Sequence, residues 1–153
     1  MPAMKSVRGV SLIELIVVVV LIAAATGLGA VAMRAGLPGQ QLRSAARDLA
    51  AQLRFTRAQA IATGKPQLFV IEAGKRTWQA PGNRHGTVPD AITITATSAR
   101  IEQPDRDSAG YRFFPEGAST GGRIVLSRDR AAWQLDIDWL TGEVTLARAE
   151  APR

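Results

Sequence analysis

Residues 9–33 read GVSLIELIVVVVLIAAATGLGAVAM, an apolar stretch that contains a single charged residue, Glu14. From Val10 to Met33, 19 of the 24 residues are hydrophobic. As an α-helix this stretch extends about 36 Å, whereas the hydrocarbon core of a bilayer is about 30 Å thick. It therefore predicts a membrane-spanning helix, and the preceding Lys5 and Arg8 favour a cytoplasmic N-terminus.

The composition separates this apolar stem from an ordinary polar domain. The chain has 153 residues, of which 46% are hydrophobic and 21% charged, and its formal net charge is +6. Its mean hydropathy of +0.03 is high for so basic a chain, and the stem supplies the excess. The chain contains no cysteine, which excludes disulfides, cysteine-ligated metals and thiol chemistry.

An ordinary secretory signal peptide is the first alternative for the stem. The residues Ala30, Val31 and Ala32 would fit a signal-peptidase site. However, the apolar core of such a peptide is usually about 7–15 residues long, and the run here is longer. Glu14 near the start of the run would also weaken an apolar core, so the sequence favours a retained helix.

Glu14 is the residue that most needs an explanation. An acid in the middle of a membrane span costs about 2.5 kcal/mol or more. One explanation is that Glu14, about one turn into the helix, reaches the interface, where the positive helix N-terminus also favours it. The other is that a second chain supplies a cation, because two opposite charges buried together cost far less than either alone.

The motif Gly9-Val10-Ser11-Leu12-Ile13-Glu14, between a short basic leader and an apolar helix, resembles the processing signal of type IV pilins and type II secretion pseudopilins. The resemblance implies that prepilin peptidase cleaves after Gly9 and that the new N-terminus, Val10, is methylated. It also implies that Glu14, fifth in the mature chain, pairs with the free amine of a neighbouring subunit during assembly. The family usually has Phe where this chain has Val10.

The segment after the stem predicts a second helical half. Residues 36–39, Gly-Leu-Pro-Gly, predict a kink or break, because proline lacks the backbone N–H that a helix interior needs. From Gln40 to Thr63 the apolar residues recur at helical spacing, and Gly64 supplies a stop. The face expected to bury against a sheet consists of Leu42, Ala45, Ala46, Leu49, Leu53 and Ala60.

Beyond Gly64 the hydrophobic pattern becomes that of strands joined by short turns. Strands are predicted at 67–71, 76–80, 92–97, 111–114, 123–127, 132–138 and 143–147, with a polar loop over 81–90. We predict an α+β fold of the type IV pilin kind, in which a long N-terminal helical spine, transmembrane in its first half, packs on antiparallel β-sheet. The predicted segments are a leader peptide at 1–9, a transmembrane and filament-core helix at 10–33, the amphipathic half of the spine at 34–63, and a periplasmic β-rich domain at 64–153.

The domain also resembles the GspH and FimT families. The segments that carry the resemblance are LRFTRAQAIATG at 53–64, the following Leu-Phe-Val-Ile strand with Trp78, FPEG at 114–117, GGRIVL at 121–126 and LTGEV at 140–144. The resemblance implies a non-enzymatic, structural minor pseudopilin that helps export folded proteins across the outer membrane. Its implied partners are other pseudopilins, prepilin peptidase and the bacterial inner membrane, and after assembly it belongs to a periplasmic pseudopilus.

A FimT-like minor pilin that binds DNA in a type IV pilus or competence system is the alternative. Several arginines follow the stem, and three more cluster near the C-terminus, at Arg123, Arg128 and Arg130. Acidic residues are interspersed with that cluster, and aromatic residues for stacking on bases are few. FimT-like pilins often carry a C-terminal cysteine pair, which this chain lacks. DNA is therefore an unlikely partner.

The sequence predicts no catalytic, cofactor-binding or metal-binding residues. His85, the single histidine, lies in a polar segment without an identifiable nucleophile and acid. Asp105 and Asp107 lack the spacing and the terminal glutamate of an EF-hand loop. Gly27 and Gly29 lie inside the stem rather than after a strand, so they do not form a phosphate-binding motif.

Overall fold

The structure, a computed structural model, describes residues 12–98 and 107–151, and for residues 25–38 it describes the backbone alone. The predicted processing residues Gly9 and Val10 lie outside the described residues. One helix, α1 (Leu12–Thr63), precedes the strands of the described chain. These are β1 (Gln67–Glu72), β2 (Thr77–Ala80), β3 (Arg84–Thr87), β4 (Thr93–Ser98), β5 (Ser108–Phe113), β6 (Gly122–Arg128), β7 (Ala131–Ile137) and β8 (Val144–Glu150).

The helix continues through the Gly-Leu-Pro-Gly segment, so the predicted break at residues 36–39 is wrong. Pro38 lacks the backbone N–H that would donate one hydrogen bond in the helix. The residues before and after it are nevertheless helical in this 52-residue element. The chain nevertheless divides into two compact units between Leu37 and Pro38, and each is described by itself. At the other end the predicted stop is confirmed, because Gly64 has φ 63° and follows the last helical residue.

The first unit presents apolar side chains to its surroundings. Its large hydrophobic residues from Leu12 to Ile22 are 47–80% exposed. Among the described residues, no stretch of helix combines the length and the hydropathy that crossing a membrane requires.

The second unit contains two four-stranded antiparallel sheets, with strand orders β3-β2-β1-β5 and β4-β6-β7-β8. The predicted strands are all present, and the predicted antiparallel α+β class is confirmed. The predicted polar loop at 81–90 is wrong in part, because it contains the short strand β3. Its sequence, Arg-His-Gly-Thr, has no apolar alternation, and it becomes a strand only by pairing with β2, with Trp78 opposite Gly86.

The buried face of α1 packs against both sheets, and together they enclose one hydrophobic core. The predicted helix residues are buried, apart from Ala45, which is partly buried against the core. Opposite them lie Phe69, Ile71, Tyr111 and Phe113 from the first sheet and Ile124, Leu126, Leu135 and Ile137 from the second. Full burial of one such large apolar side chain is worth about 1.5–3 kcal/mol, so this shared core is the main stabilising element of the domain.

Tyr111 joins the two sheets at their seam. Its side chain is fully buried on β5, and its hydroxyl lies 3.2 Å from the Thr97 carbonyl oxygen and 3.0 Å from that of Arg123. Burial raises the pKa of Tyr111, so the hydroxyl stays a donor. Gly122, at φ 142°, makes the seam possible, because a Cβ there would collide with the Thr97 carbonyl and lie 2.7 Å from the Tyr111 ring.

We expect Tyr111→Phe to lower the free energy of unfolding by about 1–2 kcal/mol, because two carbonyls at the seam lose their shared donor. Urea unfolding of the purified chain measures the change. Thr95→Val, at an exposed position of β4, is the matched control and should change stability little. An unaltered Tyr111→Phe midpoint would mean that the hydroxyl does not hold the sheets together.

Candidate functional site

Glu14 is a charged residue surrounded by exposed apolar side chains. It lies in the first turn of α1, and both neighbouring residues, Ile13 and Leu15, are more than half exposed. Within the described residues Glu14 has no ion-pair partner. A charged side chain on an apolar surface is stable while water solvates it. Burying that charge beneath another protein surface costs free energy, unless the second surface supplies a cation to pair with it. The pairing of Glu14 with another subunit stays a prediction.

A second exposed feature lies between β7 and β8. This segment, residues 138–143, is here called the Trp139 loop. The side chains of Trp139 and Leu140 are 66% and 64% exposed. Two consecutive large apolar residues on a turn are unusual for a solvated surface, and Trp is enriched in protein interfaces.

The first residue of the Trp139 loop, Asp138, accepts the hydrogen bonds that hold the loop in a turn. The Asp138 carboxylate oxygen Oδ1 accepts hydrogen bonds from the Thr141 backbone N–H at 2.8 Å and from the Thr141 hydroxyl at 3.0 Å. It also accepts one from the Leu140 N–H at 3.0 Å. The bonds from Thr141, followed by that from Leu140, lower the pKa of Asp138. The carboxylate therefore acts as a turn-forming acceptor at neutral pH.

Two other elements anchor the backbone of the loop. The Ser119 N–H donates to the Trp139 carbonyl at 2.9 Å, and the Ser119 hydroxyl donates to the Asp138 carbonyl at 2.8 Å. From α1, the Arg57 Nε–H lies 3.1 Å from the carbonyl oxygens of both Thr141 and Gly117. The backbone is thus fixed while the two apolar side chains remain exposed, an arrangement that lowers the entropic cost of binding.

Gly142 is required where the Trp139 loop meets the Gly117 turn. Its φ is 66°, and a Cβ at this position would collide with the Gly117 carbonyl oxygen. The glycines of the FPEG and LTGEV segments therefore meet in space. The two segments lie far apart in the sequence, and only the fold brings them together against Arg57.

A groove of about 960 Å³ runs beside the Trp139 loop. Gly121 and Gly122 line it, together with the ion pair between Arg123 Nε and Asp136 Oδ1, which are 2.6 Å apart. Among the described residues, no cluster of histidine, aspartate and glutamate could hold a metal ion. His85 lies apart on β3, exposed, with its Nδ1 3.1 Å from the Asn83 carbonyl oxygen. That the chain is not an enzyme stays a prediction.

Most of the arginines considered for DNA binding contact the protein itself. Arg54 Nη2 donates to the Val144 carbonyl at 2.7 Å, and Arg128 Nη1 donates to Gln41 Oε1 at 2.9 Å. The Arg43 guanidinium lies 5.7 Å from the centre of the Trp133 ring. Arg57 bonds to backbone carbonyls and Arg123 pairs with Asp136, as described above. The positive charges of these arginines are therefore dispersed over the domain. That DNA is an unlikely partner stays a prediction.

The Trp139 loop is not among the candidate sites predicted from the sequence. The available clue was the pair Trp139-Leu140 next to Asp138 and Thr141, since apolar residues in a tight polar turn cannot both enter the core.

The hydrogen bonds to Asp138 predict a pH-dependent stability. A lowered carboxyl pKa stabilises the folded state above the unfolded value of about 3.9, and this stabilisation is lost as the pH falls through the folded pKa. We expect Asp138→Asn to be less stable than the parent chain at pH 7, with the difference shrinking below about pH 4. Thermal unfolding from pH 7 to pH 3 measures this. Asp48→Asn, at an exposed helix position, is the control, and a pH-independent difference for Asp138→Asn would contradict the assignment.

Both a family model and a known protein match the sequence of this chain. The family model described as type II transport protein GspH matches residues 45–142. Type II secretion system protein H of Xanthomonas campestris pv. campestris is 47% identical over 148 residues, which cover 97% of this chain and 88% of that protein.

Two kinds of solved structure share the fold. The minor pseudopilin EpsH of Vibrio cholerae aligns with a TM-score of 0.54 at 15% identity, over 71% of this chain and 97% of that one. The type IV minor pilin FimU of Pseudomonas aeruginosa aligns with a TM-score of 0.56 at 14% identity, over 72% of this chain and 90% of that one. At these identities the likeness concerns the fold alone.

Proposed function

Because this chain belongs to the GspH family of type II transport proteins, we propose that it is a minor pseudopilin, a structural subunit of the type II secretion pseudopilus. In this role it helps to export folded proteins across the outer membrane. The observation that carries the proposal is the near-complete alignment, at 47% identity, with a type II secretion system protein H. The pilin-like fold, shared with EpsH, agrees with it.

The exposed stem supports a role in assembly. A helix whose large apolar side chains are 47–80% exposed between Leu12 and Ile22 must be covered by lipid or by other apolar helices, since apolar surface is driven out of water. We place residues 10–33 in the inner membrane before assembly and in the filament core afterwards. The N-terminus is then cytoplasmic, and the β-rich domain belongs to the periplasmic pseudopilus.

Processing would create a cation able to pair with Glu14. Cleavage by prepilin peptidase after Gly9 gives Val10 a free amine, which is positively charged near neutral pH before and after one methylation. Within an apolar bundle the amine of one subunit and the Glu14 carboxylate of its neighbour neutralise each other. Burying either charge alone costs free energy. The ion pair therefore favours the alignment of neighbouring subunits in which both charges are paired.

The surfaces of the domain support a structural rather than an enzymatic role. The described residues around the 960 Å³ groove are glycines, threonines, apolar residues, Ser98, the acids Asp138 and Glu143, and the ion pair of Arg123 with Asp136. They do not form an arrangement of nucleophile, base and oxyanion donors. The partners proposed for the chain are therefore other pseudopilins, together with prepilin peptidase during maturation.

The first test is the mass of the mature chain. We expect the protein isolated from the membranes of cells with an active prepilin peptidase to begin at Val10 and to carry one added methyl group. In cells without that peptidase the leader should remain. Intact-mass spectrometry distinguishes these forms, and a mature chain beginning at Met33 would instead indicate ordinary signal cleavage.

The second test changes Glu14. We expect Glu14→Ala to leave the domain folded and the leader cleaved, but to reduce secretion roughly tenfold or more, because the amine of the neighbour then has no counter-charge. Glu14→Asp, which keeps the carboxylate, should retain a larger share of activity. Secretion assays of complemented deletion strains measure both variants. Normal secretion by Glu14→Ala would remove the pairing from the proposal.

A further inference from the structure

The second sheet carries a row of polar side chains that crosses all four of its strands. Thr97 on β4 is paired in register with Arg123 on β6. Asp136 on β7 and Thr145 on β8 continue the row. Because successive side chains of a strand point to opposite faces, the row lies on the face turned away from the buried core. These four residues, here called the polar row, line the groove of about 960 Å³ beside the Trp139 loop. Neighbouring strands lie about 4.8 Å apart, so the row extends about 14 Å.

The polar row offers hydrogen-bond donors and acceptors side by side. Arg123 and Asp136 form an ion pair, and their side chains are 57% and 37% exposed, so each keeps groups that a ligand can reach. The guanidinium can only donate, and the carboxylate can only accept. The hydroxyls of Thr97 and Thr145, both exposed, can do either. A ligand that fits this row therefore needs groups that donate and accept along its length.

The Trp139 loop forms an apolar wall beside the polar row. Trp139 and Leu140 both line the groove. Gly121, which precedes β6, lets the loop pack closely against this strand, because a Cβ there would lie 2.9 Å from the Trp139 Cβ. The loop backbone is already fixed by its hydrogen bonds to Asp138 and Ser119. An aromatic side chain is thus held next to the polar row before any ligand arrives, which lowers the entropic cost of binding.

The charges that line the groove argue against an anionic ligand. Among the described lining residues, Arg123 is the one basic residue, whereas Asp136, Asp138 and Glu143 are acidic. Arg123 is paired with Asp136, and the other two carboxylates repel a phosphate or sulfate group. A cationic ligand would have to compete with Arg123 for Asp136, and Asp138 already uses one oxygen to hold the loop. The groove is therefore best suited to an uncharged ligand with an apolar face and many polar groups.

We propose that this groove binds an uncharged oligosaccharide, with one sugar ring packed against Trp139 and the following rings hydrogen-bonded to the polar row. A sugar ring has an apolar face of C–H groups, which packs against an aromatic side chain. Its hydroxyls donate and accept hydrogen bonds at once, as the polar row requires. Because the row extends about 14 Å, it fits a short chain of sugars better than a single ring. This binding is a second activity of the domain and does not depend on the filament role.

Ligand-observed NMR with defined sugars tests the proposal directly. The full-length protein is kept in lauryldimethylamine oxide, a detergent without a sugar headgroup, and is titrated with chitohexaose and cellohexaose. We expect saturable binding of at least one hexamer, with a dissociation constant on the order of 1 mM or tighter, and at least tenfold weaker binding of its monosaccharide. Either hexamer supports the proposal, and the preferred one shows whether the groove recognises the N-acetyl group by which they differ. No binding of both hexamers at about 10 mM would overturn it.

Matched variants test the two parts of the groove separately. Trp139→Ala should weaken binding at least tenfold without changing the thermal midpoint, since this side chain is exposed. Thr97→Ala should weaken binding about threefold, because one hydrogen bond to the ligand is lost. Thr93→Ala, on the same face of β4 but away from the lining of the groove, is the control and should bind like the parent chain. Parent-like affinity of Trp139→Ala would overturn the proposal, and parent-like affinity of Thr97→Ala would contradict the role of the polar row.

A basic peptide provides the competing outcome. If hexaarginine binds and Glu143→Gln weakens that binding, while neither hexasaccharide binds, the groove recognises cations and the proposal is overturned. Because these measurements use the purified chain, that result leaves the filament role untouched. Conversely, normal secretion by a strain that lacks this chain would contradict the proposed function and leave saccharide binding standing.

Discussion

The domain depends on one amphipathic face of α1 closing a core that two sheets share. Leu42, Leu49 and Leu53 are almost completely buried, and they lie against side chains from both sheets. Neither sheet has a second layer of its own in the described chain, so the helix face is the surface on which each is stabilised. The hydroxyl of Tyr111 on β5 adds a polar contact between the sheets, since it lies within hydrogen-bond distance of the Thr97 carbonyl on β4 and the Arg123 carbonyl on β6.

Arginines on the neighbouring face of the same helix determine what the domain presents outward. Arg54 and Arg57 do not form a free positive stripe, because they donate to carbonyls of the segments around Val144 and Gly117. The single Nε–H of Arg57 is shared between the Gly117 and Thr141 carbonyls, whereas Arg54 directs its Nε–H and an Nη2–H to the one carbonyl of Val144. The helix thus supports the core with leucines and the surface loops with arginines. Trp139 and Leu140 are consequently held in solvent rather than collapsing onto the sheet.

The chain also carries features that remain incomplete in isolation. In the first unit, Glu14 and the described apolar side chains around it are exposed. In the second, the Trp139 loop holds two large apolar side chains exposed on a hydrogen-bonded backbone. Features of this kind are costly for a solitary soluble protein and are expected for a subunit of a larger assembly. They agree with membership in a family of secretion-filament subunits.

The sequence by itself determined the elements whose pattern is local. The apolar run with Glu14, the helical spacing from Leu42 to Ala60, the stop at Gly64 and most strands follow from periodicity and turn chemistry. Tertiary structure decided the strand β3, which exists only through its pairing with β2, and the continuation of α1 past residues 36–39. It also decided that Gly117, Gly142 and Arg57 meet, because contacts between residues far apart in the chain depend on the packing of whole elements and leave no periodic trace in the sequence.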